Sequence, residues 1–81
     1  MTSITMYGAE WCSDCRRSKK LLDDTGVSYE YIDLEVVPEA ADAALAISGR
    51  TNIPVIVFAD GTHQVEPSNA DLEAKLAELA A

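Results

Sequence analysis

Two cysteines, Cys12 and Cys15, are the residues of this 81-residue chain whose type and spacing could perform chemistry. The sequence pattern places them where a first strand gives way to a first helix. A side chain at a helix N-terminus faces unpaired backbone N–H groups and the positive end of the helix dipole, which favours a thiolate. The i, i+3 spacing also brings the two sulfurs within disulfide reach. The motif therefore predicts thiol–disulfide exchange, with Cys12 attacking and Cys15 resolving the mixed disulfide.

Three other interpretations of the C-x-x-C motif compete with thiol–disulfide exchange. A structural disulfide would close a loop of four residues and contribute only about 2 kcal/mol in the loop-entropy model. A zinc site needs four ligands, whereas the sequence offers 2 Cys and 1 His, so no metal site is predicted. We interpret that histidine, His63, as a surface residue of a strand. Two neighbouring thiols without a function are the third alternative.

The charge distribution limits the expected partners. The chain has 6 Lys+Arg against 14 Asp+Glu, for a net charge of −8. Residues 1–25 are balanced, so the whole excess of acid lies in residues 26–81. Nucleic acids and anionic membranes both require a basic face, and this sequence offers none. Neither is therefore an expected partner.

The hydropathy pattern and the cysteine usage predict where the protein works. No apolar run approaches the roughly 18 residues that a membrane helix needs, and no signal peptide is visible at the N-terminus. A secreted domain stabilised by disulfides would use more cysteines, spread along the chain. We therefore expect a cytoplasmic protein in a reducing compartment.

The elements that must position the cysteines follow the order β-α-β-α-β-β-α, within one domain over residues 1–81. Two strand–helix–strand connections indicate helices packed on a sheet, with a hairpin at one end. An Ile53-Pro54 bond precedes the buried third strand, and base rates for X-Pro favour a trans bond there. The predicted strands cover 2–7, 27–34, 55–58 and 62–66. The predicted helices cover 13–25, ended by Gly26; 38–47, with Pro38 in the first turn; and a last helix capped by Ser68, with Leu72, Leu76 and Leu79 on one face.

Taken together, these features resemble the glutaredoxin family of the thioredoxin superfamily, and within it the actinobacterial mycoredoxins. The resemblance rests on Trp11 to Cys15, Gly49 to Pro54, Phe58 to Gly61, and Pro67-Ser68. It implies an α/β thioredoxin-like (glutaredoxin) fold, with a four-stranded mixed sheet flanked by three helices. It also implies a thiol–disulfide oxidoreductase that reduces mixed disulfides between proteins and a low-molecular-weight thiol, without a tightly bound cofactor. A monomer is expected.

The resemblance further implies a thiol-binding groove around Cys12. Trp11, Ser13 and Asp14 would border it, Pro54 would be cis, and the Ile53 backbone would pair with the bound thiol. Asp60, Gly61, Pro67 and Ser68 would line the far side. Trp11 either shields the sulfur or is a half-buried aromatic. The Gly-Gly and acidic pairs by which glutaredoxins hold glutathione are missing, which favours mycothiol over glutathione.

Other functions remain in competition with this one. The protein could be a general protein disulfide reductase fed by a flavoprotein reductase, or a dimer that binds an iron–sulfur cluster. It could also be a redox-inert interaction domain, because the negative charge of Asp14 opposes a thiolate at Cys12. Arg16, Arg17 and Lys19 would offset that charge if they fold back towards it.

Overall fold

The computed structural model describes residues 4–80, which form the predicted order of strands and helices. Thr2 and Ser3, the start of the predicted first strand, lie outside the described residues. The strands are β1 (Ile4–Gly8), β2 (Tyr29–Asp33), β3 (Val55–Val57) and β4 (His63–Val65). The helices are α1 (Ser13–Thr25), α2 (Ala40–Ser48) and α3 (Asn69–Ala80).

The sheet is mixed, as expected, with the strand order β2-β1-β3-β4. β1 and β2 are parallel, β3 is antiparallel to β1, and β4 is antiparallel to β3. The second strand–helix–strand connection is therefore not a parallel crossover, which the element order alone did not reveal. Because Tyr7 lies opposite Val55, the loop after β1 and the residues before β3 meet at one end of the sheet. We call this the Cys12 end.

Helix α1 has the bounds that the sequence predicted. Gly26 ends it with a φ of 75° and donates its N–H to the Asp23 carbonyl at 3.2 Å. This left-handed conformation suits glycine, which has no Cβ to clash. Cys15, Ser18 and Leu22 are buried along one side of the helix. The motif cysteine at position 15 is thus part of the face that packs on the sheet.

Helix α2 begins later than predicted. Pro38 lies in a turn before the helix rather than in its first turn. The N–H groups of Ala40 and Ala41 bond to carbonyls three residues back, at Val37 and Pro38, so the chain enters the helix through tight turns. Helix α2 then ends at Gly49, whose φ is 74°.

Helix α3 confirms both its predicted cap and its apolar face. The Ser68 hydroxyl accepts the Asp71 N–H at 3.1 Å, which satisfies one of the unpaired donors at the helix start. Leu72 is fully buried, and Leu76 and Leu79 pack against the core.

The core lies directly beneath the motif. Its buried residues come from β1, α1, the third strand region and α3, and both cysteines belong to the same cluster. The members are Ile4, Met6, Cys12, Cys15, Leu22, Ile56, Phe58 and Leu72. Among residues 4–80, no helix has the length and apolar character needed to cross a membrane.

Candidate active site

Cys12 is the N-cap residue of α1. Its backbone is extended, with φ −84° and ψ 117°, and its sulfur accepts the Cys15 backbone N–H at 3.2 Å. Its own N–H donates to the Ala9 carbonyl at 3.2 Å, which holds the loop after β1 in place. A backbone donor at the positive end of a helix supports negative charge on the atom that it contacts. The local fold therefore supplies the environment that a nucleophilic sulfur needs.

The Cys12 sulfur lies between α1 and the residue before Pro54. Its thiol donates to the Ile53 carbonyl at 3.8 Å, and the residue is 9% exposed. A partner disulfide can therefore approach it only from the open side, along a groove.

Cys15 has a different environment. It is 1% exposed, and burial, followed by its hydrogen bond with Cys12, raises the pKa of its thiol to about 12. Both cysteines are free thiols in this structure. Because only the thiolate attacks a disulfide, the geometry divides the pair into one sulfur at a groove and one held protonated beneath it.

Gly8 allows this close packing, and sequence reasoning did not identify it. A Cβ at position 8 would lie 3.1 Å from the Cys15 sulfur and 3.4 Å from Cε1 of Tyr31. Only a glycine at the end of β1 leaves room for Cys15 of α1 to lie this close to the β1 backbone. The signal was present as a glycine ending a predicted strand near a C-x-x-C motif.

A groove of about 410 Å³ runs beside Cys12. The predicted residues Trp11, Ser13, Asp14 and Ile53 line it together with Cys12. Trp11 is 67% exposed, so its interpretation as a half-buried aromatic is wrong. The other lining residues are Thr51, Asn52 and Glu66, none of which the sequence analysis selected.

Pro54 is not among the residues that line the groove. The Ile53-Pro54 bond is cis, so the base-rate expectation of a trans bond is wrong and the family resemblance is confirmed on this point. Pro54 is buried, and its carbonyl accepts the Glu66 N–H at 2.9 Å. This bond joins the two segments that flank the groove.

Asp60 and Gly61 do not line the groove, which corrects the prediction. Val57 lies opposite Thr5 in β1, so the turn after β3 is at the end of the sheet away from Cys12. There Asp60 accepts a hydrogen bond from Lys75 at 2.6 Å, which lowers the pKa of its carboxyl. His63 pairs with Val57 near this turn and is exposed, as the sequence predicted.

Pro67 and Ser68 lie at the Cys12 end but are not among the residues that line the groove. Pro67 is buried, and its carbonyl accepts a hydrogen bond from Arg17 Nη2 at 2.8 Å. Ser68 is exposed and caps α3. Their contacts are structural, joining α3 and its preceding loop to α1.

One cation offsets the charge of Asp14. Arg17 Nη1 lies 3.0 Å from Asp14 Oδ1, while the same guanidinium holds the Pro67 carbonyl. Arg16 instead donates to the Glu10 carbonyl at 2.6 Å, and Lys19 pairs with Asp23 at 3.6 Å. Of the three residues expected to fold back, Arg17 is the one that does. In the part of the chain that the structure describes, no group of three or more His, Cys, Asp or Glu side chains could hold a metal ion.

The fold and the site together define a class of protein. A C-x-x-C motif at a strand–helix junction, facing a cis-proline at the end of a four-stranded mixed sheet, is the arrangement of a thioredoxin-like thiol–disulfide oxidoreductase. The family model described as Glutaredoxin matches residues 4–64. The chain belongs to the glutaredoxin family and is a thiol–disulfide oxidoreductase of that type.

Known relatives agree with this assignment. Mycoredoxin 1 of Corynebacterium glutamicum is 35% identical over 81 residues, which cover 99% of this chain and 100% of that protein. The glutaredoxin of Archaeoglobus fulgidus superposes with a TM-score of 0.81 at 27% identity, covering 94% of this chain and 87% of that one. The NrdH-redoxin of Escherichia coli superposes with a TM-score of 0.75 at 28% identity, covering 89% of this chain and 92% of that one.

Replacing Gly8 by alanine is expected to displace Cys15. The added Cβ meets the Cys15 sulfur at 3.1 Å, so α1 or the cysteine must shift. Overpacking of this kind costs about 1–3 kcal/mol in the free energy of unfolding. Urea unfolding of the reduced Gly8→Ala variant measures that loss, and stopped-flow oxidation should show slower closure of the Cys12–Cys15 disulfide. Unchanged stability together with an unchanged closure rate would show that the contact is not tight.

The Asp14–Arg17 pair is expected to tune the reactivity of Cys12. Arg17→Gln removes the cation paired with Asp14, which lines the groove together with Cys12, and should slow alkylation of Cys12, whereas Asp14→Asn should accelerate it. An exposed pair of this kind corresponds to about a two- to fivefold change in rate. Iodoacetamide kinetics at pH 7, followed by peptide mass spectrometry, measure both variants in a Cys15→Ser background. The hypothesis fails if Arg17→Gln still slows alkylation after Asp14 has been replaced by asparagine.

Proposed function

We propose that this oxidoreductase reduces mixed disulfides between proteins and mycothiol, with Cys12 as the nucleophile and Cys15 as the resolving thiol. The observation that carries the proposal is the asymmetry of the two sulfurs. Cys12 accepts a helix N-terminal N–H and borders an open groove, while Cys15 is buried directly behind it. The 35% sequence identity with Mycoredoxin 1, over 99% of this chain and 100% of that protein, supports the choice of mycothiol.

The proposed reaction is a pair of thiol–disulfide exchanges. The Cys12 thiolate attacks the small-thiol sulfur of the mixed disulfide, and the protein substrate leaves as a thiolate that takes up a proton. Cys12 is then disulfide-bonded to the small thiol. A second molecule of that thiol attacks the sulfur of the bound small thiol, which frees Cys12 as a thiolate and forms the disulfide of the small thiol. Alternatively, Cys15 loses its proton and attacks the Cys12 sulfur, which releases the small thiol and leaves a Cys12–Cys15 disulfide that two further molecules of the small thiol reduce. In both routes the two electrons come from the low-molecular-weight thiol, which ends as its own disulfide.

The groove is the proposed binding site for the small thiol. The Ile53 carbonyl already accepts the Cys12 thiol at 3.8 Å and would pair with an amide N–H next to a bound cysteine. Trp11, Ser13 and Asp14 would contact the rest of the thiol from the α1 side. The buried Pro54, next in the chain, would hold the Ile53 carbonyl in position. This surface does not include Asp60, Gly61, Pro67 or Ser68.

A second function is favoured by one comparison. The structure of the similar Escherichia coli NrdH-redoxin describes a thioredoxin-like activity profile for that protein. A general protein disulfide reductase, regenerated by a flavoprotein reductase, would use the same two cysteines. In that case Cys15 always resolves the intermediate, and no free small thiol is needed.

Trapping the intermediate tests the proposal. The Cys15→Ser variant, incubated separately with mycothiol disulfide and glutathione disulfide, should form an adduct on Cys12 in each case. We expect the mycothiol adduct to form about tenfold faster, a difference of about 1.4 kcal/mol. Intact-mass spectrometry over time measures both rates, and Cys12→Ser is the control that should form no adduct.

The alternatives give different results. Faster reaction with glutathione disulfide would contradict the choice of mycothiol while leaving the nucleophile assigned. Absence of both adducts, combined with reduction of insulin disulfides by the native chain and a flavoprotein reductase, would favour the general reductase. Adducts that persist in Cys12→Ser would contradict the assignment of the nucleophile.

A further inference from the structure

Glu66 has an unusual backbone conformation at the edge of the groove. Its φ is 48°, the one positive value of a non-glycine residue among residues 4–80. Such a conformation costs an ordinary residue roughly 1–2 kcal/mol, and the surrounding structure must hold it. Here the Glu66 N–H donates to the Pro54 carbonyl at 2.9 Å, and Glu66 Oε1 accepts from Asn52 Nδ2 at 2.9 Å. The side chain is thereby fixed against the loop before Pro54, and it lines the groove.

The charge of the groove is carried by Glu66. Two of the lining residues are acidic, Asp14 and Glu66, and none is basic. Asp14 is paired with Arg17 at 3.0 Å, whereas the Glu66 carboxylate contacts a neutral amide. Arg50, the nearby basic residue of the loop before β3, is not among the residues that line the groove; it lines an adjoining cavity of about 260 Å³ beside α2. The groove therefore presents one uncompensated negative charge to whatever binds at Cys12.

We propose that Glu66 makes this groove select thiol partners that carry no carboxylate close to the reacting sulfur. The inference rests on the proposed function, because it assumes that small thiols bind beside Cys12. An anionic thiol such as glutathione would place its own carboxylates next to Glu66, where like charges repel. A neutral thiol rich in hydroxyl groups, or a thiol bearing an ammonium group, meets no such penalty. Hydroxyl groups can also donate hydrogen bonds to the Glu66 carboxylate.

Three small disulfides of different charge test this selectivity in the Cys15→Ser background. Glutathione disulfide is anionic, bis(2-hydroxyethyl) disulfide is neutral, and cystamine is cationic. The rate of adduct formation on Cys12 is measured by intact mass at low ionic strength. Each variant's rates are divided by its own rate with the neutral disulfide, so that intrinsic differences between the disulfides cancel when variants are compared.

Glu66→Gln keeps the shape of the side chain and the acceptor for Asn52 but removes the charge. Its relative rate with glutathione disulfide should rise about fivefold, and that with cystamine should fall by a similar factor. Both changes should shrink at high salt because the groove is open to solvent. Glu66→Gly removes the whole side chain at a position whose positive φ suits glycine, and it should give the same loss of selectivity.

Glu78→Gln is the matched control. It also removes one negative charge, but Glu78 shares Lys75 with Asp60, at the end of the sheet away from Cys12. Two results would overturn the inference while leaving the proposed function intact. In the first, Glu66→Gln has the same relative rates as the parent Cys15→Ser chain. In the second, Glu78→Gln changes the relative rates as Glu66→Gln does. Failure of all three disulfides to form an adduct on Cys12 in the parent would overturn the proposed function, and the inference with it.

Discussion

The hydrogen bond from the Cys15 backbone N–H to the Cys12 sulfur, at 3.2 Å, is the interaction on which the rest of the structure depends. It makes one atom both the cap of α1 and the candidate nucleophile, so the helix must begin at this residue for the chemistry to be possible. The neighbouring residues hold the Cys12 sulfur in this position. Ala9 holds the loop before Cys12, and the missing side chain of Gly8 lets Cys15 pack against β1. The antiparallel β3 then brings Ile53 to the other side of the sulfur.

Two electrostatic effects act at the site, and the net charge of −8 reveals neither of them. One supports negative charge on the Cys12 sulfur, and the other selects the molecule that binds beside it. The N-terminus of α1 supports negative charge on the Cys12 sulfur. Arg17 offsets the charge of Asp14, the one acidic residue inside the motif. Selection among partners is the role proposed for Glu66, which lines the groove and whose carboxylate contacts only a neutral amide. An acidic groove and a nucleophilic sulfur are compatible because the backbone donors act on the sulfur at hydrogen-bond distance, whereas the carboxylate acts on the arriving molecule.

Local signals in the sequence predicted the parts of the fold that depend on neighbouring residues. The C-x-x-C motif, the terminating Gly26 and the leucines of α3 are of this kind, because each reflects the geometry of a single helix. The wrong assignment of Asp60 and Gly61 has a different cause, since only the direction of β3 decides which end of the sheet its turn occupies. Glu66 and Asn52 were missed for a related reason. They are 14 residues apart in sequence, belong to no motif, and meet only when β4 returns to the Cys12 end.

The central claim is that Cys12 is the nucleophile and Cys15 the buried resolving thiol. The reactivity of each cysteine in the reduced native chain tests this claim most directly. Pulses of iodoacetamide between pH 6 and pH 11, followed by peptide mass spectrometry, give the rate at each cysteine. Because burial raises the pKa of Cys15 to about 12, its alkylation should stay at least about a hundredfold slower than that of Cys12 at pH 7 and should still be rising at the highest pH. Alkylation of Cys15 as fast as that of Cys12 at neutral pH would contradict this account.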